Sequence, residues 1–197
     1  LPGEDRSFGT GLFVDLVPAS CWFTNVRSCV DQTDWERLRR MITQRAGLRC
    51  ECCHRGEDRN ARRWLEAHER WAYNHQTLVQ SLRRLICLCT DCHTATHFGL
   101  AQISGLRGDT SIDDRAQISG KADTALAHLY TVTGMSPTQA YHHVEEAFDT
   151  WQQRSRAAWT LNLDMLTTAN IRLIHPPAAA DRPHVAQEQL GRERGRQ

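Results

Sequence analysis

Residues 84–97 read RLICLCTDCHTATH, and this stretch decides the fold. Its first half, RLICL at 84–88, is an apolar run of strand length. Its second half opens with Cys89-Thr90-Asp91-Cys92, a C-x2-C pair, and continues to His93 and His97. If a helix starts near Thr90, the two histidines lie one turn apart on one face. The stretch therefore predicts a strand, a metal knuckle and a ligand-bearing helix in direct succession.

Working outward, Cys50-Glu51-Cys52-Cys53 supplies a matching C-x2-C pair upstream. Two such pairs can enclose one tetrahedral Zn²⁺ through Cys50, Cys53, Cys89 and Cys92, because a two-residue spacer turns both sulfurs toward one ion. Cys52 and Cys87 compete for the register, while Cys21 and Cys29 stand alone and read as core residues. The interval between the pairs is too long for a simple zinc ribbon, so it must hold structure of its own. Within it WLEAHERW places His68 at the end of an expected strand over 63–68. The order is then strand, loop, strand, helix, with His68, His93 and His97 converging inside a thiolate clamp.

The flanks are helical. Thr33 followed by Glu36 has the spacing of a capping box, and Trp35, Leu38, Met41 and Ile42 repeat at helical spacing, predicting a helix near 34–46 closed by Gly47. Arg37, Arg40 and Arg45 fall on its expected exposed face. Ala122–Tyr130 reads as a helix ended by Gly134, and Ser136-Pro137 opens another that runs to about Arg156. Residues 11–16 (GLFVDL) suggest a short strand, 17–30 an irregular segment, and Trp159–Leu166 a closing strand or helical turn. AQISG occurs at 101–105 and again at 116–120, consistent with a local duplication in a loop. The expected division is an N-terminal segment 1–32, a helix plus metal module 33–99, a loop or insertion 100–121, a helical part 122–175 and a disordered tail 176–197. The fold class that follows is α+β and mostly helical.

Composition sets the outer bounds. The chain has 197 residues, 40% hydrophobic and 24% charged, which is ordinary for one globular core. Formal net charge is +1, so no global basic field announces a nucleic-acid partner. Locally, residues 31–97 carry 12 Arg against 9 Asp plus Glu. No apolar run approaches the ~20 residues of a membrane helix. The start, LPGEDRSFGT, has no basic segment followed by an apolar one. A cytoplasmic protein with no membrane partner is expected, in which eight cysteines serve as thiols or metal ligands rather than disulfides.

The run C-x2-C, LEAHE and LCTDCHTATH resembles the HNH endonucleases, many of which frame a ββα-metal fold with two C-x2-C knuckles. The resemblance covers residues 50–98, about a quarter of the chain. The flanks, including VPASCWFTNVRS, resemble a small bacterial group of HNH-like proteins. It implies a small ββα-metal module with a four-cysteine zinc site, metal-dependent phosphodiester hydrolysis of nucleic acid, DNA ahead of RNA, and a second divalent ion (Zn²⁺, Mn²⁺, Ni²⁺ or Mg²⁺) at the histidines. Two registers are open. In one, His68, His93 and His97 are ligands and Glu69 stands where the base belongs. In the other, His68 is the base and Ala67 has replaced a ligand. Arg84 occupies the position near which such proteins carry Asn, and Asn74 or His75 could substitute. Arg84 and Arg70 are the candidate nucleic-acid contacts. The alternative is a non-catalytic zinc module that binds nucleic acid or a protein, or a closed second site completed by Glu69 or His54.

Overall fold

The computed structural model describes residues 1–22, 24–98 and 112–174. Among these it is α+β, with six α-helices and one three-stranded sheet. A short 3-10 turn at Ala19–Cys21 precedes α1 (Val26–Cys29) and α2 (Gln32–Arg45). Then come β1 (Leu65–Asn74), β2 (Val79–Cys89), α3 (Thr90–Thr96), α4 (Ile112–Thr133) and α5 (Pro137–Ser155), followed by β3 (Thr160–Asn162) and α6 (Asp164–Thr168). No helix among the described residues is long and apolar enough to cross a membrane.

The sheet is built on one long hairpin. β1 and β2 pair antiparallel from Leu65 opposite Cys89 to Asn74 opposite Val79, with a bulge between Arg70 and Trp71. Its turn is held by Asn74, whose Oδ1 accepts the Gln76 and Thr77 N–H groups. The strands are longer than the runs 63–68 and 84–88 suggested, so His68 sits mid-strand rather than at a strand end. β3 adds to β2 in parallel at Val79–Ser81, and Trp159 just before it packs edge-on against Tyr73 and His75. The expected strand-or-turn at 159–166 is thus both, a three-residue strand followed by α6.

Beyond β3, the open edge of β2 is covered rather than paired, a common way to blunt an exposed ladder. The Glu4 carboxylate accepts the Leu85 N–H at 2.9 Å, and Arg45 bonds both Glu4 and the Leu85 carbonyl. Burial alone would raise the Glu4 carboxyl. Hydrogen bonds from Arg45, the chain's amine and Leu85 outweigh it and hold the group at about 2. Arg45 therefore faces inward, unlike the solvent-facing position its helical phase suggested.

Helix ends follow local chemistry. α2 starts earlier than the Thr33 box implied, because Asp31 caps it by accepting the Asp34 N–H at 2.9 Å. Ser136 caps α5 with Pro137 at the first helical position, as expected, and Gln139 makes the cap a reciprocal box. Gly47 and Gly134 close α2 and α4 at φ +64° and +74°, a left-handed conformation open to glycine. α4 begins at Ile112, so the second AQISG lies in a helix and not in a loop, and the first lies outside the described residues, as does the segment 176–197. Residues 11–16 are extended and bury Leu12, Val14 and Leu16, but form no strand. Their N–H groups go instead to the His143 ring from Val14 and to the Thr96 carbonyl from Asp15.

Candidate metal centre

The first knuckle is shaped by its own backbone. The Cys50 N–H bonds the Arg55 carbonyl and the His54 N–H bonds the Cys50 carbonyl, closing a tight turn. The turn then docks on the free edge of β2. The Glu51 N–H donates to the Cys87 carbonyl at 2.8 Å, and the Cys87 N–H donates to Glu51 Oε1 at 2.9 Å. Cys89 ends β2 and Cys92 lies in the first turn of α3, so the strand delivers the second knuckle to the first.

The result is a compact set of sulfurs. Those of Cys50, Cys53, Cys89 and Cys92 all lie within 4.8 Å of one another, and Cys53 Sγ is 3.5 Å from Cys89 Sγ. Sulfurs at the corners of a tetrahedron with bonds of about 2.3 Å stand roughly 3.8 Å apart, so the donor set suits an ion such as Zn²⁺. The protons of this set are unevenly held. Hydrogen bonding from Cys52, Cys89 and Cys92 pulls the Cys50 thiol far down. The same bond pushes Cys89 up to about 12 and drives Cys92 further still. Only one negative charge is comfortable among such crowded sulfurs, and a dication would reverse that order. Cys52 and Cys87 stand outside the set. Cys52 donates to the Gly11 carbonyl, and Cys87 is buried on β2. Cys21 and Cys29 are buried, as expected of core residues.

The second cluster joins the hairpin to the helix. His68 comes from β1, and His93 and His97 come from α3 and its C-terminal cap. The ligand atoms of all three lie within 4.8 Å of one another, and the ring centroids are 5.2, 4.7 and 4.6 Å apart. His68 is 3% exposed, and neither of its ring nitrogens has a hydrogen-bond partner. A buried imidazole with both nitrogens unpartnered is costly in the absence of a ligand, and this fits a metal at the cluster. Burial, followed by the charges of His97, His93 and Arg70, drives the His68 ring well below its ordinary value. Burial likewise brings His93 down to about 4 and His97 to about 3. All three are neutral at pH 7, the form that offers a lone pair to a metal.

Glu66 completes this cluster. Its Oε2 lies 3.2 Å from His93 Nδ1. Burial raises its carboxyl, and a hydrogen bond from Thr90 partly offsets that. Metal-binding histidines commonly give their second N–H to such a carboxylate, which fixes the tautomer and leaves Nε2 as the donor. The LEAHE run does not by itself single out Glu66. Strand alternation was the signal that would have found it, since residues two apart share a face.

Other expected participants go elsewhere. Glu69 adjoins His68 on a strand and so points to the opposite face. It is buried there, and its Oε1 accepts the Val26 N–H at 2.9 Å, supplying a partner to the start of α1. Burial pushes its carboxyl up. It is not brought to the histidines as a base or as a fourth ligand. His54 is exposed at the tip of the first knuckle and takes no part. Asn74 and His75 occupy the hairpin turn, roughly 20 Å along β1 from His68 at ~3.3 Å per residue. Asn74 accepts turn N–H groups, and the His75 ring packs on Trp159.

The two arginines expected at a nucleic-acid surface are interior. Arg70 is fully buried, with its guanidinium 4.0 Å over the Phe13 ring and Nη2 bonded to the Gly11 carbonyl. Arg84 is 4% exposed, ion-paired to Glu51 and bonded to the Phe8 carbonyl. Arg84 thereby ties the first knuckle to β2 through the same Glu51 that bonds Cys87. Comparison with protein-family models, curated proteins and solved structures finds no match to the chain.

Proposed function

We propose that this chain is a metal-dependent nuclease of the HNH type, hydrolysing phosphodiester bonds of nucleic acid, with DNA ahead of RNA. One observation carries the reading. A hairpin followed directly by a helix brings three neutral imidazoles together, with both nitrogens of the buried His68 unpartnered. In this reading Cys50, Cys53, Cys89 and Cys92 hold a structural Zn²⁺, and the hairpin and α3 form a ββα-metal module.

His68, His93 and His97 are the ligands of a second divalent ion. Bound there, such an ion supplies Lewis-acid stabilisation of charge on the scissile phosphate and the leaving oxygen. Imidazole donors favour Zn²⁺, Mn²⁺ or Ni²⁺ over Mg²⁺, which prefers oxygen. Glu66 holds the proton at His93 Nδ1 and so keeps Nε2 free for coordination. The register with His68 as ligand is retained, but with Glu66 rather than Glu69 as the carboxylate of the site. Burial of His68, with His93 and His97 half-buried beside it, keeps the three rings neutral.

The direct test is nicking of supercoiled plasmid, and cleavage of a matched RNA, with Mg²⁺, Mn²⁺, Ni²⁺ and Zn²⁺ in turn. His68→Ala serves as the negative control. Cleavage with at least one metal that His68→Ala abolishes supports the reading. No cleavage of either nucleic acid with any of the four metals overturns it.

A second reading rests on a specific observation. Glu69 is committed to α1, and Arg70 and Arg84 are committed to the interior. A module that binds nucleic acid or protein without cutting needs none of them at the histidines. That reading predicts metal at both clusters and no turnover.

A further inference from the structure

α4 brings an additional histidine to the thiolate cluster. His128 Nε2 lies 3.1 Å from Cys92 Sγ. It also groups with Cys89 and Asp91 at metal-binding distance and is not one of the four-sulfur set. Ala122, Ala125 and Leu129 on the same helix are buried, and α4 packs on α3, which carries Cys92. The contact therefore joins the helical second half of the chain to the knuckle.

Charge gives the contact a direction. Four thiolates around a dication carry a net charge of about −2 in a buried place, which calls for hydrogen-bond donors to the sulfurs. Cys92 comes second in its pair, and the group against its sulfur is a ring nitrogen from another helix. A metal-bound thiolate has no proton and can only accept, so at this distance the ring nitrogen must carry the hydrogen.

We propose that His128 is a positioning residue of the thiolate zinc site, donating Nε2–H to the Cys92 thiolate and so tying α4 to the metal. The inference rests on the reading that the four cysteines hold zinc. It implies that zinc retention depends on the docking of a helix distant in sequence from every ligand.

The test compares His128→Gln, whose amide can donate from the same place, with His128→Leu, which has similar bulk and no donor. Zinc content of the wild type is measured first by elemental analysis. Release to a chromogenic chelator is then timed, with far-UV circular dichroism as a check on folding. Partners that hydrogen-bond a metal ligand change metal affinity by roughly 10–100-fold. We expect His128→Leu to release zinc about ten-fold faster, and His128→Gln to stay near the wild-type rate. In the Co²⁺-substituted protein, loss of the donor should move the sulfur-to-cobalt charge-transfer band to longer wavelength, leaving the ligand-field bands of four thiolates in place. Equal release and equal spectra for the leucine variant overturn the proposal while leaving the zinc site standing. A changed ligand-field spectrum in that variant also overturns it, by making His128 a ligand. Absence of zinc from the wild type overturns the zinc reading and this inference together.

Discussion

The cysteine cluster and the histidine cluster lie on the same β1–β2–α3 unit but are built in opposite ways. The first cysteine pair sits in a short turn closed by its own backbone bonds and locked to β2 by Glu51, and the second spans the end of β2 and the first turn of α3. Four donors close the set. The histidine cluster draws one residue from mid-strand and two from a helix. It has three donors, one supporting carboxylate and unpartnered nitrogens. Closed four-ligand zinc sites are typically structural, whereas three-ligand sites leave a position for water or substrate. The comparison teaches that one fold can carry a closed donor set and an open one side by side; on the proposed reading the first holds the fold together and the second serves chemistry.

Breaking the closed site should have the largest effect. Cys50→Ser or Cys92→Ser is expected to lose the metal and much of the folded structure, because the binding energy of a structural zinc, about 10–16 kcal/mol in small zinc domains, is folding energy. Zinc content and thermal melting of either variant check this. Full retention of both would remove the distinction between the clusters.

Breaking the open site should spare the fold. His68→Ala is expected to lose the second ion and all cleavage, while keeping the thiolate-bound metal and most secondary structure. Elemental analysis with a nicking assay reads both.

Two glutamates sharpen the comparison further. Glu66→Gln should weaken metal binding at the histidines by roughly 10–100-fold, the usual cost of losing a carboxylate that holds a ligand's far N–H. Glu69→Leu should leave that affinity unchanged and cost about 1–3 kcal/mol of stability, because it strands the buried Val26 N–H. Isothermal titration with Mn²⁺ or Zn²⁺, beside urea unfolding, separates them. The reverse pattern would restore Glu69 to the site.

A further difference concerns acid. His93 and His97 titrate near 6.5 when unfolded but are held at about 4 and about 3 when folded. Between those values the unfolded chain binds more protons, so stability contributed by these groups is present above about 6.5 and is lost as pH falls toward 3. Urea midpoints of protein carrying only the thiolate metal should fall over that window. A His93→Gln/His97→Gln double variant should show a shallower fall, and identical slopes would contradict the burial argument.

The differences in construction also explain what the sequence made legible. C-x2-C spacing is local, so the cysteine set could be read directly and the structure assembles it. The i, i+4 spacing of His93 and His97 is equally local and lies on α3 as expected. Glu69 was misplaced by adjacency. A neighbour along a strand is on the other face, and Glu66, two residues away, is the one that reaches a histidine. Arg70 and Arg84 read as surface charges because arginine usually is one. Their partners, Phe13, Gly11, Phe8 and Glu51, lie far away in sequence. The alternation of residues 11–16 was real, but an expected ladder became contacts to His143 and Thr96, which only tertiary packing supplies. His128 was invisible for the same reason, being 36 residues from the cysteine it touches.

The most direct test of the two-cluster account is metal stoichiometry, measured on the wild type and on His68→Ala after saturation with Zn²⁺ and removal of loosely held ions. The account predicts two ions per chain in the wild type and one in the variant, the remaining ion resistant to chelation. One ion in both proteins would contradict it, as would loss of the chelation-resistant ion when His68 alone is changed.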